Sequence, residues 1–359
     1  MRIGLVSADR GIPLDGTKGA SIHLRSMAEA LAQRGHDVTV YASGRASGVA
    51  LPVRPVEALL LDGRAADGFD LIYERYSLGH EEGLRAARLL DVPFALEVNA
   101  PLVLEAGRHR PHTVRPHHHR AEARLFRDAD LVFAVSEPLR RHIERLRGRD
   151  EGTMVLRNGF DPEHHPVPAP LGPGDVVGFL GHPKPWHGAD RLPALLVALR
   201  RRGRPARLLV VGGGPGAEAL RADADRFGVA DAIEVTGALP PAEAARRLGE
   251  AAVTVAPYPP DPFFYFCPLK VIESMAAGIP VVAPAQGDIP QIVVDAGILV
   301  PPGDDRALAD AVDRLLVDAS LRSRLGAGAR RRAFAGFTWG HVADRAIEAV
   351  DALRTERVA

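Results

Sequence analysis

The stretch Phe264-Tyr265-Phe266-Cys267-Pro268-Leu269-Lys270-Val271-Ile272-Glu273-Ser274-Met275-Ala276-Ala277-Gly278-Ile279-Pro280-Val281-Val282-Ala283 decides the fold. It reads as a short helix running straight into a buried strand over residues 280–283. Pro268 fits the first helical position, where its missing N–H would be unpaired anyway, and Gly278 fits the C-terminal stop. Ala276, Ala277 and Gly278 are small enough to let that helix lie close on a sheet. Lys270 and Glu273, three residues apart, share one face near its start. A cation in a first helical turn opposes the macrodipole, which favours anions there. It makes sense beside an anionic ligand held by the free N–H groups of the helix start. Glu273 can then accept two hydrogen bonds from a vicinal diol such as a ribose. A solvated ion pair worth a few tenths of a kcal/mol is the other reading, and these residues alone leave both open.

Outward from this helix, the rest of the chain repeats the strand-and-helix theme. Its 359 residues suffice for two domains with separate cores. With 45 basic and 45 acidic side chains the formal charge is zero, so no electrostatic case for nucleic acid or an anionic membrane surface follows. One cysteine, Cys267, rules out an intrachain disulfide framework and a Cys-based zinc cluster. The apolar run at the N-terminus is too short for a signal peptide, and no run of about 18 apolar residues occurs. A soluble, cytoplasmic protein is the expectation.

Residues 3–7 read as a buried strand entering a Gly-, Pro- and Asp-rich loop. Leu24, Met27, Ala28 and Leu31 fall at i, i+3, i+4 and i+7 and predict a helix that stops at Gly35, ahead of a strand over 38–41. Such a βαβ unit places ligands beyond the strand's C-terminal end. Further strands are expected over 70–73, 94–98, 131–135 and 154–157. Glu74, Arg75, Glu97 and Asn99 stand where two of these runs end, on the edge that faces a cleft. They are candidates for acceptor contact, with an internal strut between Arg75 and Glu74 or Glu97 as the alternative, preferred for Glu74. A Pro-rich passage over 162–175 marks a domain boundary and hinge.

The pattern then restarts: strand 176–181, the loop His182-Pro183-Lys184-Pro185-Trp186-His187-Gly188, and helix 189–201. Residues 208–211 run into Gly212-Gly213-Gly214-Pro215-Gly216, which licenses close backbone approach to a nucleotide and, lacking a Walker lysine, no more. A strand and turn over 233–239 follow, then helices over 304–318, 320–334 and 338–353, with Thr338 a reasonable N-cap. His109, His112, His117, His118 and His119 form a run that alternates with Arg108, Arg110, Arg115 and Arg120. No carboxylate or Cys stands at a spacing that fixes zinc geometry, so a weakly basic, mobile flap is expected and no metal site.

The central stretch resembles the donor-binding signature of glycosyltransferase family 4, retaining enzymes of the GT-B fold, in the subgroup whose signature reads Pro-Leu-Lys, apolar residues, then Glu. The resemblance implies an α/β protein with two Rossmann-like domains and an interdomain cleft. It implies an N-terminal acceptor domain of residues 1–161 plus 338–359, and a C-terminal nucleotide-sugar domain of residues 162–337. The diphosphate falls to the helix start at Pro268, Leu269 and Lys270, and the ribose to Glu273. Tyr265 stands where many members carry a second Glu that contacts the donor sugar. Lys18-Gly19 matches the family's first glycine loop, with Lys18 in place of one glycine. Asn158-Gly159-Phe160-Asp161 matches the junction between the domains. In the second phosphate loop His182 replaces the usual Arg and His187 the usual Lys, while Lys184 is an extra cation. Gly213 and Gly214 are expected near the donor, and Ala238 and Leu239 near its base. Asn99 stands near the usual His, which Asn can replace as a hydrogen-bond donor only. Lys18, His23, Arg75, Glu97 and Glu105 are the acceptor-binding candidates.

With Lys184, Lys270 and Asn99 as catalytic residues, the implied function is a retaining, metal-independent glycosyltransferase. Its donor is a nucleotide-diphosphate sugar, UDP by default, its acceptor a small molecule or natural product, and it needs no cofactor. Closure of a cleft about the hinge would exclude water. A sugar-phosphate or pseudo-glycosyl synthase, a non-catalytic nucleotide-binding module and, least favoured, a nicotinamide oxidoreductase using Asp231 or Glu234 for the ribose are the competing readings.

Overall fold

The structure, a computed structural model, describes residues 1–16, 19–44, 46, 49–65, 68–165 and 174–358. Lys18 and most of the Pro-rich passage lie outside them. The chain divides into two compact units, Met1–Gly159 with Tyr265–Cys267 and Trp339–Ala359, and Phe160–Phe264 with Pro268–Thr338.

In the first unit seven strands, β1 (Arg2–Ser7), β2 (Asp37–Ala42), β3 (Val53–Arg54), β4 (Leu71–Arg75), β5 (Phe94–Val98), β6 (Leu131–Ala134) and β7 (Thr153–Val155), lie in the order β3-β2-β1-β4-β5-β6-β7. In the second unit six strands, β8 (Val176–Leu180), β9 (Arg207–Val211), β10 (Ile233–Val235), β11 (Val253–Val255), β12 (Val281–Pro284) and β13 (Gly297–Val300), lie in the order β10-β9-β8-β11-β12-β13. Every pairing is parallel. Parallel strands are joined by crossover helices that cover both faces of the sheet, so their sequences read as near-continuous apolar runs. Phe94, Phe133 and Leu5 in the first core, and Val177, Phe179 and Val210 in the second, are fully buried accordingly.

Both sheets are doubly wound, with β1 between β2 and β4 and β8 between β9 and β11. At each reversal the loops leave on opposite faces and open a crevice beyond the C-terminal strand ends. Two strands escape the sequence reading. β3 is a two-residue edge strand, and β11 sits in an Ala-rich run that Pro257 ends. The His-rich run, expected as a flap, is helical instead, because Pro116 opens the helix Pro116–Asp128 after a short turn at Pro111–Thr113. Among the described residues no helix is long and apolar enough to cross a membrane.

Candidate functional site

In the second unit the helix Leu269–Ala276 begins one residue later than expected. Pro268 has ψ 85°, outside the helical range, and serves as the N-cap, while Gly278 closes the helix at φ +78°. Lys270 is therefore in the first turn, as expected, but it is not solvated. The residue is 8% exposed, and its Nζ lies 4.2 Å from the centre of the Phe179 ring on β8 and 5.2 Å from that of Tyr258. That nitrogen has no hydrogen-bond partner among the described residues. Glu273 is partly exposed and makes no ion pair with it, so the solvated-pair reading fails. Burial lowers the Lys270 pKa to about 7 against the pull of Glu273. Burial also raises that of Glu273, against the pull of Lys270. A desolvated cation–π contact is worth roughly 2 kcal/mol, less than the several kcal/mol of burying an ammonium.

The loop after β8 brings its own cations to the same strand ends. Lys184 is exposed, with Nζ 5.0 Å from the Trp186 ring centre. His187 Nδ1 lies 2.7 Å from the His182 carbonyl oxygen. A carbonyl only accepts, so Nδ1 carries the proton and, in the neutral ring, Nε2 is left as an acceptor. Burial, followed by the charge of Lys270, pulls the His187 pKa down to about 4. The residue in the usual cation position is thus neutral at physiological pH. His182 likewise donates from Nδ1, to the Gly213 carbonyl, which ties this loop to the glycine-rich turn after β9. Gly188, at φ +70°, is obligatory: a Cβ there would sit 1.8 Å from the Pro257 carbonyl oxygen. At Gly213 a Cβ would come within 2.9 Å of the Gly237 Cα, which places that turn against the one bearing Ala238 and Leu239. Ala238 is exposed, whereas Leu239 packs on the apolar cluster around Leu248.

In the first unit β4 and β5 put Arg75 directly beside Glu97. Arg75 Nη1 donates to Glu97 Oε1 at 3.3 Å and Tyr73 OH to Oε2 at 2.6 Å. Asn99 Nδ2 also donates to Oε1. His23 Nε2, from the helix Gly19–Gln33, closes to 2.6 Å of Oε1 as an ion-pair contact rather than an aligned hydrogen bond. Burial by itself would raise Glu97; the His23 ring, the Arg75 guanidinium and the Tyr73 hydroxyl outweigh it and hold the carboxyl at about 2. Burial lowers the Arg75 pKa, with Glu97 opposing. The strut preferred for Glu74 is not formed. Successive strand residues face opposite sides, and Glu74 turns instead to the start of the helix Glu82–Leu90, where a Cβ on Gly83 would meet its Oε2 at 2.5 Å.

Glu105 and Tyr265 are brought together, the tyrosine hydroxyl donating to Glu105 Oε1. Ser136 OH donates to the Tyr265 carbonyl oxygen at 2.6 Å. Gly19 opens its helix with nothing near a would-be Cβ, so packing does not demand a glycine there. Sequence reasoning missed Phe179 and Tyr258, the aromatic seat of Lys270; the signal for Tyr258 was the apolar run before Pro257. A cavity of about 440 Å³ in the second unit lies at the opposite, N-terminal edge of β8, β9 and β10, lined by Val176, Arg207 and Ile233 among others, and holds none of these residues.

Two doubly wound parallel halves, each with its polar groups at the strand C-termini, define a GT-B protein. Sucrose-phosphate synthase from Thermosynechococcus elongatus shares the fold with a TM-score of 0.75, at 21% identity and over 99% of both chains. Residues 17–164 match the family described as Glycosyltransferase Family 4, and residues 174–318 the one described as Glycosyl transferases group 1. D-inositol 3-phosphate glycosyltransferase of Frankia alni is 31% identical over 300 residues, covering 77% of this chain and 72% of the relative. Glycogen synthase of Mycobacterium tuberculosis is 29% identical over 285 residues, covering 76% and 66%. The chain belongs to the family 4 glycosyltransferases.

Proposed function

We propose that the second unit holds a nucleotide-diphosphate sugar and the first unit the acceptor, and that transfer retains the anomeric configuration without a metal. The observation that carries this reading is Lys270, buried in the first turn of a helix whose N-cap, Pro268, offers its amides no side-chain hydrogen bond, and with no hydrogen-bond partner for its Nζ among the described residues. Lys270, Lys184 and those amides stabilise the departing diphosphate. Glu273 holds the ribose hydroxyls, and the Ala238-Leu239 turn lies against the base, uracil by default. Glu97 is fully engaged by four neighbours, which supports a mechanism with no carboxylate nucleophile: the acceptor oxygen bonds to C1 on the face the diphosphate leaves, and its proton passes to the departing phosphate oxygen. His23, Arg75 and Asn99 then orient the acceptor. A small polar acceptor is favoured, as the relative named for D-inositol 3-phosphate uses one.

Thermal denaturation with UDP, GDP, ADP, TDP or NAD tests the donor site. One nucleoside diphosphate at 100 times its Kd should add about 2.7 kcal/mol, and Glu273→Ala should abolish the gain. No gain with any of the four overturns the reading, and a gain with NAD alone favours an oxidoreductase. A second reading rests on Tyr265, bound to Glu105 where a sugar-binding Glu is usual. A non-catalytic module would bind the nucleotide yet never release it from a sugar donor.

A further inference from the structure

As an ammonium Lys270 has three protons to donate, and among the described residues its Nζ has no acceptor. Its Nζ is closed off from solvent between Phe179 and Tyr258, and neither ring offers a lone pair that can match water. The charged groups acting on it are few. Among the described residues Glu273, on its own helix, is the carboxylate that favours its protonation. In the loop after β8, His187 stands close enough for the charge of Lys270 to disfavour protonation of its ring, and Lys184 acts on that ring in the same sense. The dipole of the helix Leu269–Ala276 acts in the same direction. A buried ammonium in such surroundings sheds its proton well below the ordinary lysine range.

Resting on the donor reading above, we propose that nucleotide-diphosphate binding is proton-coupled: above neutrality Lys270 is a neutral amine in the free protein, and the incoming diphosphate draws one proton from water onto Nζ. An N–H bond forms on Nζ as an O–H bond of water breaks, the hydroxide left behind is neutralised by buffer acid, and no other bond changes. The phosphate oxygens supply the acceptors that Nζ lacks, so the ammonium becomes the stable form once the ligand is in place. His187 does not take the proton, because burial and the charge of Lys270 both disfavour its protonated ring. A site built on arginine would bind with the same affinity at any pH from 7 to 9; this one weakens as protons become scarce.

The sign follows from linkage. The free-protein pKa of Lys270 is about 7, and the bound value returns towards the ordinary lysine range. The Lys270 contribution to affinity is therefore level below about pH 7 and falls above it, approaching tenfold per pH unit. Calorimetric titration with UDP at pH 8.5, in two buffers of different ionisation enthalpy, reads the proton directly, since UDP and Glu273 are both ionised there. Uptake of roughly one proton per UDP is expected, with Kd rising about eightfold from pH 7.5 to 8.5. Lys270→Arg, which cannot shed its charge, should bind UDP with no uptake. Binding by the unaltered protein without uptake overturns the coupling and leaves the donor reading standing. Uptake that persists in Lys270→Arg moves the proton to another group and overturns the assignment. If that variant fails to bind, the uptake and pH slope of the unaltered protein decide. No binding of UDP, GDP, ADP or TDP overturns both.

Discussion

Glu97 and Lys270 are both buried charges at the C-terminal ends of parallel strands, one in each unit, and their surroundings are opposite. Glu97 is met by Tyr73, Arg75, Asn99 and His23, whereas Lys270 Nζ has no hydrogen-bond partner among the described residues. A buried charge that is fully paired belongs to the protein's own stability; one left unpaired is a standing destabilisation that a ligand can relieve. The same strand-end position thus carries a paired charge in one unit and, on the proposed donor reading, a charge left for a ligand in the other.

Substitution at the unpaired charge should separate the two uses most sharply. Lys270→Met keeps the volume and removes the amine, so kcat/KM should fall by about 10³, the scale of losing one preorganised donor to a developing anion. Stability should hold or rise by about 1–2 kcal/mol, because a buried unpaired group is removed. Steady-state kinetics with a urea melt check both. Activity within a few-fold of the original would break the contrast at its stronger end.

The paired charge should behave in reverse. Glu97→Gln leaves Arg75 without its counter-charge and should lower stability by about 3 kcal/mol. Glu97 is depressed in the folded state to about 2, so its contribution is complete above its unfolded value of about 4.5 and is lost as pH falls from there towards 2. Urea melts from pH 7 to 3 should show that loss in the original chain and a flatter profile in the variant. Equal slopes would mean that Glu97 is not the charge that holds this end of the sheet together.

How far such contrasts were legible depends on what each rests on. The strands were, because a parallel strand covered on both faces must be apolar throughout, as residues 94–98 and 208–211 are; β3, with two residues on an edge, carries no such pattern. The spacing of Lys270 and Glu273 correctly put both in the early turns of one helix. It said nothing of what covers Lys270, since Phe179 arrives from β8 and Tyr258 from the loop after β11. The partnership of Arg75 with Glu97 rather than Glu74 is a matter of strand register and facing, which period-2 reasoning constrains only once the neighbouring strand is known. The His-rich run looked like a loop by composition, yet Pro116 at a first helical position lets a helix start within it.

A weaker pairing in the first unit grades the comparison. Tyr265 takes the place of a usual Glu and donates to Glu105, both partly or wholly buried. Tyr265→Phe removes one charge-assisted hydrogen bond and leaves the Glu105 carboxylate short of a donor, at about 1–2 kcal/mol. A melt checks it. A loss as large as that expected for Glu97→Gln would make Glu105 a second hub.

Within the second unit the smallest effect is expected at His187, and it tests whether neutral and unpaired groups are rightly told apart. Its Nδ1–H is committed to the His182 carbonyl, and burial with Lys270 nearby holds its pKa at about 4. From pH 5.5 to 7 it therefore carries no charge to offer a diphosphate. His187→Gln keeps a neutral side chain with both a donor and an acceptor, so UDP-glucose affinity should change by less than tenfold, about 1.4 kcal/mol. The change should be the same at both ends of that pH range. A nucleotide sugar, with no titrating phosphate oxygen there, keeps the ligand's own protons out of the measurement. If the variant instead lost affinity steeply, and more at pH 5.5 than at 7, His187 would be a cation in the complex. The positive charge beside the diphosphate would then be shared between the two residues rather than concentrated on Lys270.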